Sequence, residues 1–311
     1  MEVGSTHSQR GVKAVNLNYS RTRASRKVMD RGRVIGSVGI AVLVIAVGTV
    51  AMFKVISKNS CSLSTRPLHL VGCNLSGVSL HGVNLSGADL SRANLSHEDL
   101  SSSNLDRVES GGITGVPSKL PAEWELVNGY LVGPGANLSN AHLARANLGD
   151  TASGGGSPAF LTGANLEGAN LAGTNLRNAG LRNTNLNHAS LAGAKLYRVI
   201  SGGIVGTPKS LPTSWSLVNG FLIGPGAALL YSDLSGANLV GAFMMDDQLV
   251  GTDLNGADLG GADLFGSAMD GVNLTGADLV GAVLGNILWT NTTCPDGTNS
   301  DFDGHTCIYD L

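Results

Sequence analysis

Large rings are scarce in this chain: 5% of its 311 residues are aromatic, against 44 glycines. That bias suits a narrow stacked core better than a globular one, although 42% hydrophobic side chains leave ample material to bury. Cations stop at Lys209, whereas twelve carboxylates follow between Asp233 and Asp310. The net charge of −3 hides a second asymmetry, since residues 1–33 hold eight Lys/Arg against Glu2 and Asp30. The two ends therefore meet different surroundings. Catalytic signatures are missing too. No serine sits in G-x-S-x-G, no Walker loop occurs, the seven histidines are scattered, and His97-Glu98 lacks the second histidine of a zinc helix. Nothing in the sequence supports an enzyme.

What is abundant is a beat of five. Leu161, Leu166, Leu171, Leu176, Leu181, Leu186, Leu191 and Leu196 recur without a miss, each preceded by two positions by Ala or Thr. Five residues fit neither regular element: a helix would smear the leucines around its axis, and a strand would alternate them between faces. The chain must turn a corner once per repeat. The small residue and the leucine, two apart, point the same way, as on a strand. That way is inward. The beat also covers Leu70 to Leu105, then Leu138, Leu143 and Leu148, and finally Leu229 to Leu284, with Met244 and Met269 standing in for leucine.

The units Ala164-Asn165-Leu166-Glu167-Gly168 and Ala257-Asp258-Leu259-Gly260-Gly261 resemble the pentapeptide repeat family. The resemblance implies an all-β fold, a right-handed quadrilateral β-helix with one pentapeptide per side and twenty or so residues per coil. About half the chain, roughly eight coils, would make a rod near 40 Å long at a strand spacing of about 4.8 Å.

From Val34 to Phe53 no residue is charged, and Val, Ile and Ala dominate. The run is long enough to cross about 30 Å of hydrocarbon as a helix. The basic excess lies on its N-terminal side, which puts residues 1–33 in the cytoplasm and exports the repeats. The rival is a cleaved secretory signal ending near Thr49-Val50-Ala51. The expected plan is a basic tail, 1–33; a transmembrane helix or signal anchor, 34–56; and a linker, 57–67. Solenoid blocks follow at 68–109, 136–200 with a loop at 149–158, and 227–288. Hairpin inserts occupy 110–135 and 201–226, and a cap closes 289–311.

The inserts are duplicates. Ser110-Gly111-Gly112-Ile113, Pro117, Trp124 and Asn128-Gly129 recur ninety-one positions on as Ser201-Gly202-Gly203-Ile204, Pro208, Trp215 and Asn219-Gly220. Asn-Gly between apolar runs is a strong hairpin signal, so each insert reads as a hairpin leaving the rod. Its rings, Trp124, Tyr130, Trp215 and Phe221, either anchor a partner or fold back over the rod's side. Four cysteines lie in the exported part, where disulfides persist. Cys294 and Cys307 bracket a polar loop and form one pair; Cys61 and Cys73 either clamp the first coil or leave Cys73 as core. Glu98 falls in the inward small-residue column, which demands either a local distortion or a partner.

Two metal readings arise. Asn299, Asp301 and Asp303, with Gly304 and then Asp310, resemble a calcium loop without its flanking helices. Asp233 should lie under Asp253, and Asp258 under Asp278, where stacked carboxylates need cations, solvation or backbone donors. The cysteine-bounded tail also resembles the endings of some exported pentapeptide proteins, which implies a cap for the last coil. No cofactor is called for. The leading expectation is a membrane-anchored, extracytoplasmic rod acting as a spacer or as a module for an envelope or extracellular protein. The alternatives are a calcium-dependent adhesion module and, by family resemblance, a DNA-mimicking topoisomerase-binding protein. The acidic final block fits the last, whereas the apolar run, the inserts and the mid-chain cations Arg145, Arg177, Arg182, Lys195 and Arg198 do not; nucleic acid is not expected as a partner.

Overall fold

The computed structural model describes residues 40–45, 52–57, 61, 68–150, 157–302 and 304–308. The basic tail and most of the linker lie outside them. Within the apolar run, β1 (Ile40–Ile45) and β2 (Met52–Ser57) pair antiparallel, Ile40 opposite Ser57 and Ile45 opposite Met52. This differs from the helix expected over 34–56, whose remaining residues are outside the described set. Valine and isoleucine, branched at Cβ, suit a pleated strand as well as an apolar helix. Among the described residues no helix is long and apolar enough to cross a membrane.

From residue 68 the chain winds as a solenoid, and the pentapeptide beat explains how. Each corner is a tight turn in which the N–H three residues after a leucine's carbonyl closes the ring, as Cys73 N does on Leu70 O at 3.1 Å. The third residue of that turn must take positive φ, as Gly72 does at 65°. Hence glycine recurs at this step, and asparagine or arginine stands in elsewhere, as at Asn140 and Arg145. Between corners one short strand step pairs in parallel with the coil beyond: His69 with Asp89, then Asp89 with Glu109. The spacing of twenty confirms four pentapeptides per coil.

The leucines fill the axis. Leu85, Leu95, Leu166, Leu186 and Leu254 have no exposed surface, and the beat continues two steps past Leu284, to Trp289 and Cys294. Beside them the small column carries Ala, Thr and Ser. Buried hydroxyls there donate to backbone carbonyls, Ser103 Oγ to Leu80 O at 2.6 Å and Thr174 Oγ1 to Leu143 O at 2.8 Å in the preceding coil, and Thr184 Oγ1 to Leu181 O at 2.9 Å in its own. Glu98 keeps its place there at 2% exposure, and its N–H still bonds Leu95 O at 3.1 Å. The coil is not distorted at that point.

The inserts are layers rather than projections. Their first ten residues keep to the coil, with Thr114 paired to Asn94 and Lys119 to Asp99. Only then do β3 (Glu125–Val127) and β4 (Tyr130–Val132) form an antiparallel hairpin, whose turn residues Asn128 and Gly129 both have positive φ. Thr114 and Lys119 pair with the coil before them, whereas His142 and Asn147 pair with the coil after them, Asn170 and Asn175. The hairpin is wedged between. Leu131 packs with the core of the first block and Val132 with that of the second. The second hairpin, β5 (Ser216–Val218) and β6 (Phe221–Ile223), repeats this with Leu222 on the second block and Ile223 on the third. One side of the coil stays unbroken past it: Phe160, Gly180, Ile200, Ala228, Gln248 and Ala268 pair in succession. That side ends where β7 (Ala268–Asp270) pairs in parallel with β8 (Leu288–Thr290).

Candidate functional site

The four rings of the inserts are placed by the wedge. Trp124 lies against the backbone of Gly133, where a Cβ would come within 2.3 Å of the indole, and Trp215 lies on Gly224 in the same way. The Tyr130 hydroxyl accepts a hydrogen bond from His142 N at 3.1 Å, and Phe221 covers Gly202. All four are half-buried and pack against the solenoid cores. Of the two readings of these rings, the structure favours folding back. An open cleft of about 270 Å³ remains below the second hairpin, between Trp215 and Val218 above and Val240 and Phe243 below.

Both cysteine pairs are bonded, Cys61 to Cys73 and Cys294 to Cys307. The first ties the chain before the solenoid to its opening coil. The second closes the C-terminal loop, which Thr293 and Asn299 also join by an antiparallel bridge.

The calcium-loop candidates are engaged in that closure. Asn299 Oδ1 accepts from Asp301 N at 3.0 Å, Asn299 Nδ2 donates to Asn291 Oδ1 at 3.2 Å, and Asp301 Oδ1 accepts from Asn291 N at 2.9 Å. Asp303 and Asp310 lie outside the described residues. Among the described residues no group of three His, Cys, Asp or Glu could hold a metal ion.

The stacked aspartates lie as the register requires, Asp233 paired with Asp253 and Asp258 with Asp278. Each accepts the N–H two residues on, at 3.1, 3.0, 3.1 and 2.9 Å in that order. The Ser235 hydroxyl and amide hold the Asp233 carboxyl below its ordinary range. Backbone donors thus offset the repulsion between neighbouring coils.

Asp247 was not singled out from the sequence. It stands in the inward column, two before Leu249, with 1% of its surface exposed. Its Oδ1 accepts from Ala227 N at 2.8 Å, while Oδ2 is buried with no hydrogen-bond partner. Burial pushes this carboxyl well above its ordinary range, against the Ala227 and Gly226 amides; the Asp246 charge adds to the rise. The signal was legible, since an acid at the alanine position of the beat is a buried acid.

The family described as Pentapeptide repeats matches this chain in eight copies, over residues 69–108, 160–199 and 248–286. No match was found among curated proteins. Among solved structures, HetL, a pentapeptide repeat protein involved in heterocyst differentiation regulation in a Nostoc cyanobacterium, is 25% identical over 76% of this chain and 94% of its own, with a TM-score of 0.22. A pentapeptide repeat protein of the Arabidopsis thaliana thylakoid lumen is 20% identical over 48% of this chain and 68% of its own, at 0.13. Full-length QnrB1, a plasmid-mediated fluoroquinolone resistance protein, is 15% identical over 78% and 96%, at 0.20. Those scores are too low to carry an argument, and the assignment rests on the matched repeats and the coil geometry. Over residues 69–108, 160–199 and 248–286 the solenoid of this chain is similar to the pentapeptide repeat family.

Proposed function

We propose that this chain is an extracytoplasmic rod, attached to the membrane by its apolar run, which works as a spacer or by binding a protein rather than by catalysis. The observation that carries the reading is the pair of disulfides, one before the opening coil and one after the last, because such bonds form and persist in oxidising compartments and are rare in the cytosol. The run from Val34 to Phe53 supplies the attachment. Two paired strands cannot cross hydrocarbon, since their open edges leave backbone groups unbonded, so the proposal requires β1 and β2 to give way to one helix on insertion. Cations at Arg145, Arg177, Arg182, Lys195 and Arg198 weigh against the DNA-like alternative.

A topology reporter tests this directly. Alkaline phosphatase fused after Leu311 is expected to be active, and β-galactosidase at the same point inactive. The reverse pattern would place the rod in the cytoplasm and overturn the proposal.

A further inference from the structure

The unbroken side of the solenoid carries no charge from Phe160 through Ile200, Ala228 and Gln248 to Leu288. Its two ends are its most exposed apolar groups, Phe160 at 43% and Leu288 at 68%. The corners that border it are charged in a graded way. Along one corner a backbone ladder runs from Asn178 to Tyr197, from Arg198 to Gly226, on to Met245, and from Asp246 to Phe265. Arg177 and Arg198 both lie over the Tyr197 ring, 5.8 and 5.4 Å from its centre. Cations thus stand above Gly226 and a carboxylate below it. The opposite corner repeats the order, with Arg182 next to the Gly180 strand and Asp270 next to the Ala268 strand. Among the described residues none of these five charges belongs to an ion pair.

We propose that this side is the interface of an antiparallel dimer of two copies of the chain, with its two-fold axis at Ala228. Counting strands from Ala228 gives the pairing. One coil away, Arg198 meets Asp246 of the second copy, and Tyr197 meets Met245 of the second copy. Two coils away, Arg182 meets Asp270 of the second copy, and Arg177 comes to the Phe265 ring of the second copy. Three coils away, Phe160 covers Leu288 of the second copy. No like charges face each other in this register, and every pair occurs twice. Six strand spacings make the side about 29 Å long, which with both corners offers on the order of 600 Å² per copy, enough for a specific interface of roughly 1,200 Å² in total. A bare solenoid face of opposite sign would fit a foreign partner equally well; the matched order of charges about one strand favours a second copy.

The two N-terminal ends then point in opposite directions. Resting on the membrane attachment proposed above, the dimer would join chains rooted in two facing membranes rather than neighbours in one.

Sedimentation equilibrium of the full chain in detergent micelles decides the matter without reference to attachment. The protein mass is expected at twice 31.7 kDa in low salt, about 50 mM. Arg198→Glu or Asp246→Lys alone is expected to weaken association about tenfold or more, by setting like charges against each other. Combining them in one chain restores it, because the new glutamate meets the new lysine across the axis. Phe160→Asp, at a site 43% exposed, also weakens it while leaving the far-UV circular dichroism spectrum unchanged. A monomer at every concentration, an association indifferent to both single reversals, or a double variant no tighter than either single one would each overturn the proposal. A topology result against export would leave this measurement unaffected.

Discussion

Leu222→Ala is expected to lower the free energy of unfolding by about 2–5 kcal/mol and to split one thermal transition into two. The side chain has no exposed surface and belongs to the core of the second block, while Ile223 beside it belongs to the third. In a solenoid each coil touches only its neighbours, so stability is roughly a sum of coil terms and contacts between adjacent coils. The second hairpin replaces those contacts on the sides where it is wedged. A cavity in that layer removes attraction exactly where two blocks are joined through a hairpin instead of a continuous ladder. Calorimetry reads both effects. Val240→Ala, at a side chain 58% exposed, serves as the comparison and should stay within about 0.5 kcal/mol of the parent. A single transition in Leu222→Ala with unchanged stability would mean that the hairpin does not couple the blocks.

The same hairpins show where reading the sequence succeeds and where it stops. A leucine every fifth residue admits one arrangement, a chain that turns each time it has placed one, and the buried columns follow from it with Met244 and Met269 in their places. Even the vertical neighbours were accessible, since a step of twenty puts Asp233 under Asp253. The hairpin turn was accessible as well, because Asn128-Gly129 suits positive φ twice. Its destination was not, because turn chemistry says nothing about what a hairpin lies on. One clue was passed over: Leu126-Val127 and Leu131-Val132 are apolar at consecutive positions, so both faces of the strands need cover. A projecting hairpin resting on the rod would bury only one.

The apolar run gives the opposite lesson. Its valines and isoleucines suit a strand pair as well as an apolar helix, so hydropathy alone does not choose between the two. The candidate calcium loop has a second explanation in the same residues. Oxygen ligands on alternate residues are also the residues that close tight loops, and Asn299 and Asp301 spend their side chains on that task. The self-complementary side was invisible to a reading by motif. It emerges when outward positions are followed up the coils in steps of twenty, interrupted by the longer steps that the inserts impose.

Stability should fall as pH rises from about 4, and Asp247→Asn should abolish much of that fall. The sign follows from the proton count. Burial raises the Asp247 pKa well above its ordinary value of 3.8, so in the folded chain the carboxyl keeps its proton at a pH where the unfolded chain has lost it. The native state then binds more protons than the unfolded one, and stability decreases with pH by as much as ~1.4 kcal/mol per unit until the folded pKa is passed. Asparagine imitates the protonated acid: its oxygen can still accept from Ala227 N, and it never ionises. The variant should therefore match the parent near pH 4 and melt at a higher temperature than the parent at pH 8. Asp99, Asp233 and Asp296 act with the opposite sign, because hydrogen bonds depress their pKa values, but their contribution is lost only as pH falls below about 3.8. Glu125 shares the sign of Asp247 through its own burial, so Glu125→Gln isolates its part. Melting curves of parent and variants at pH 4, 6 and 8 measure the difference. Parallel curves for parent and Asp247→Asn would show that the carboxyl reaches solvent or a cation in the folded chain.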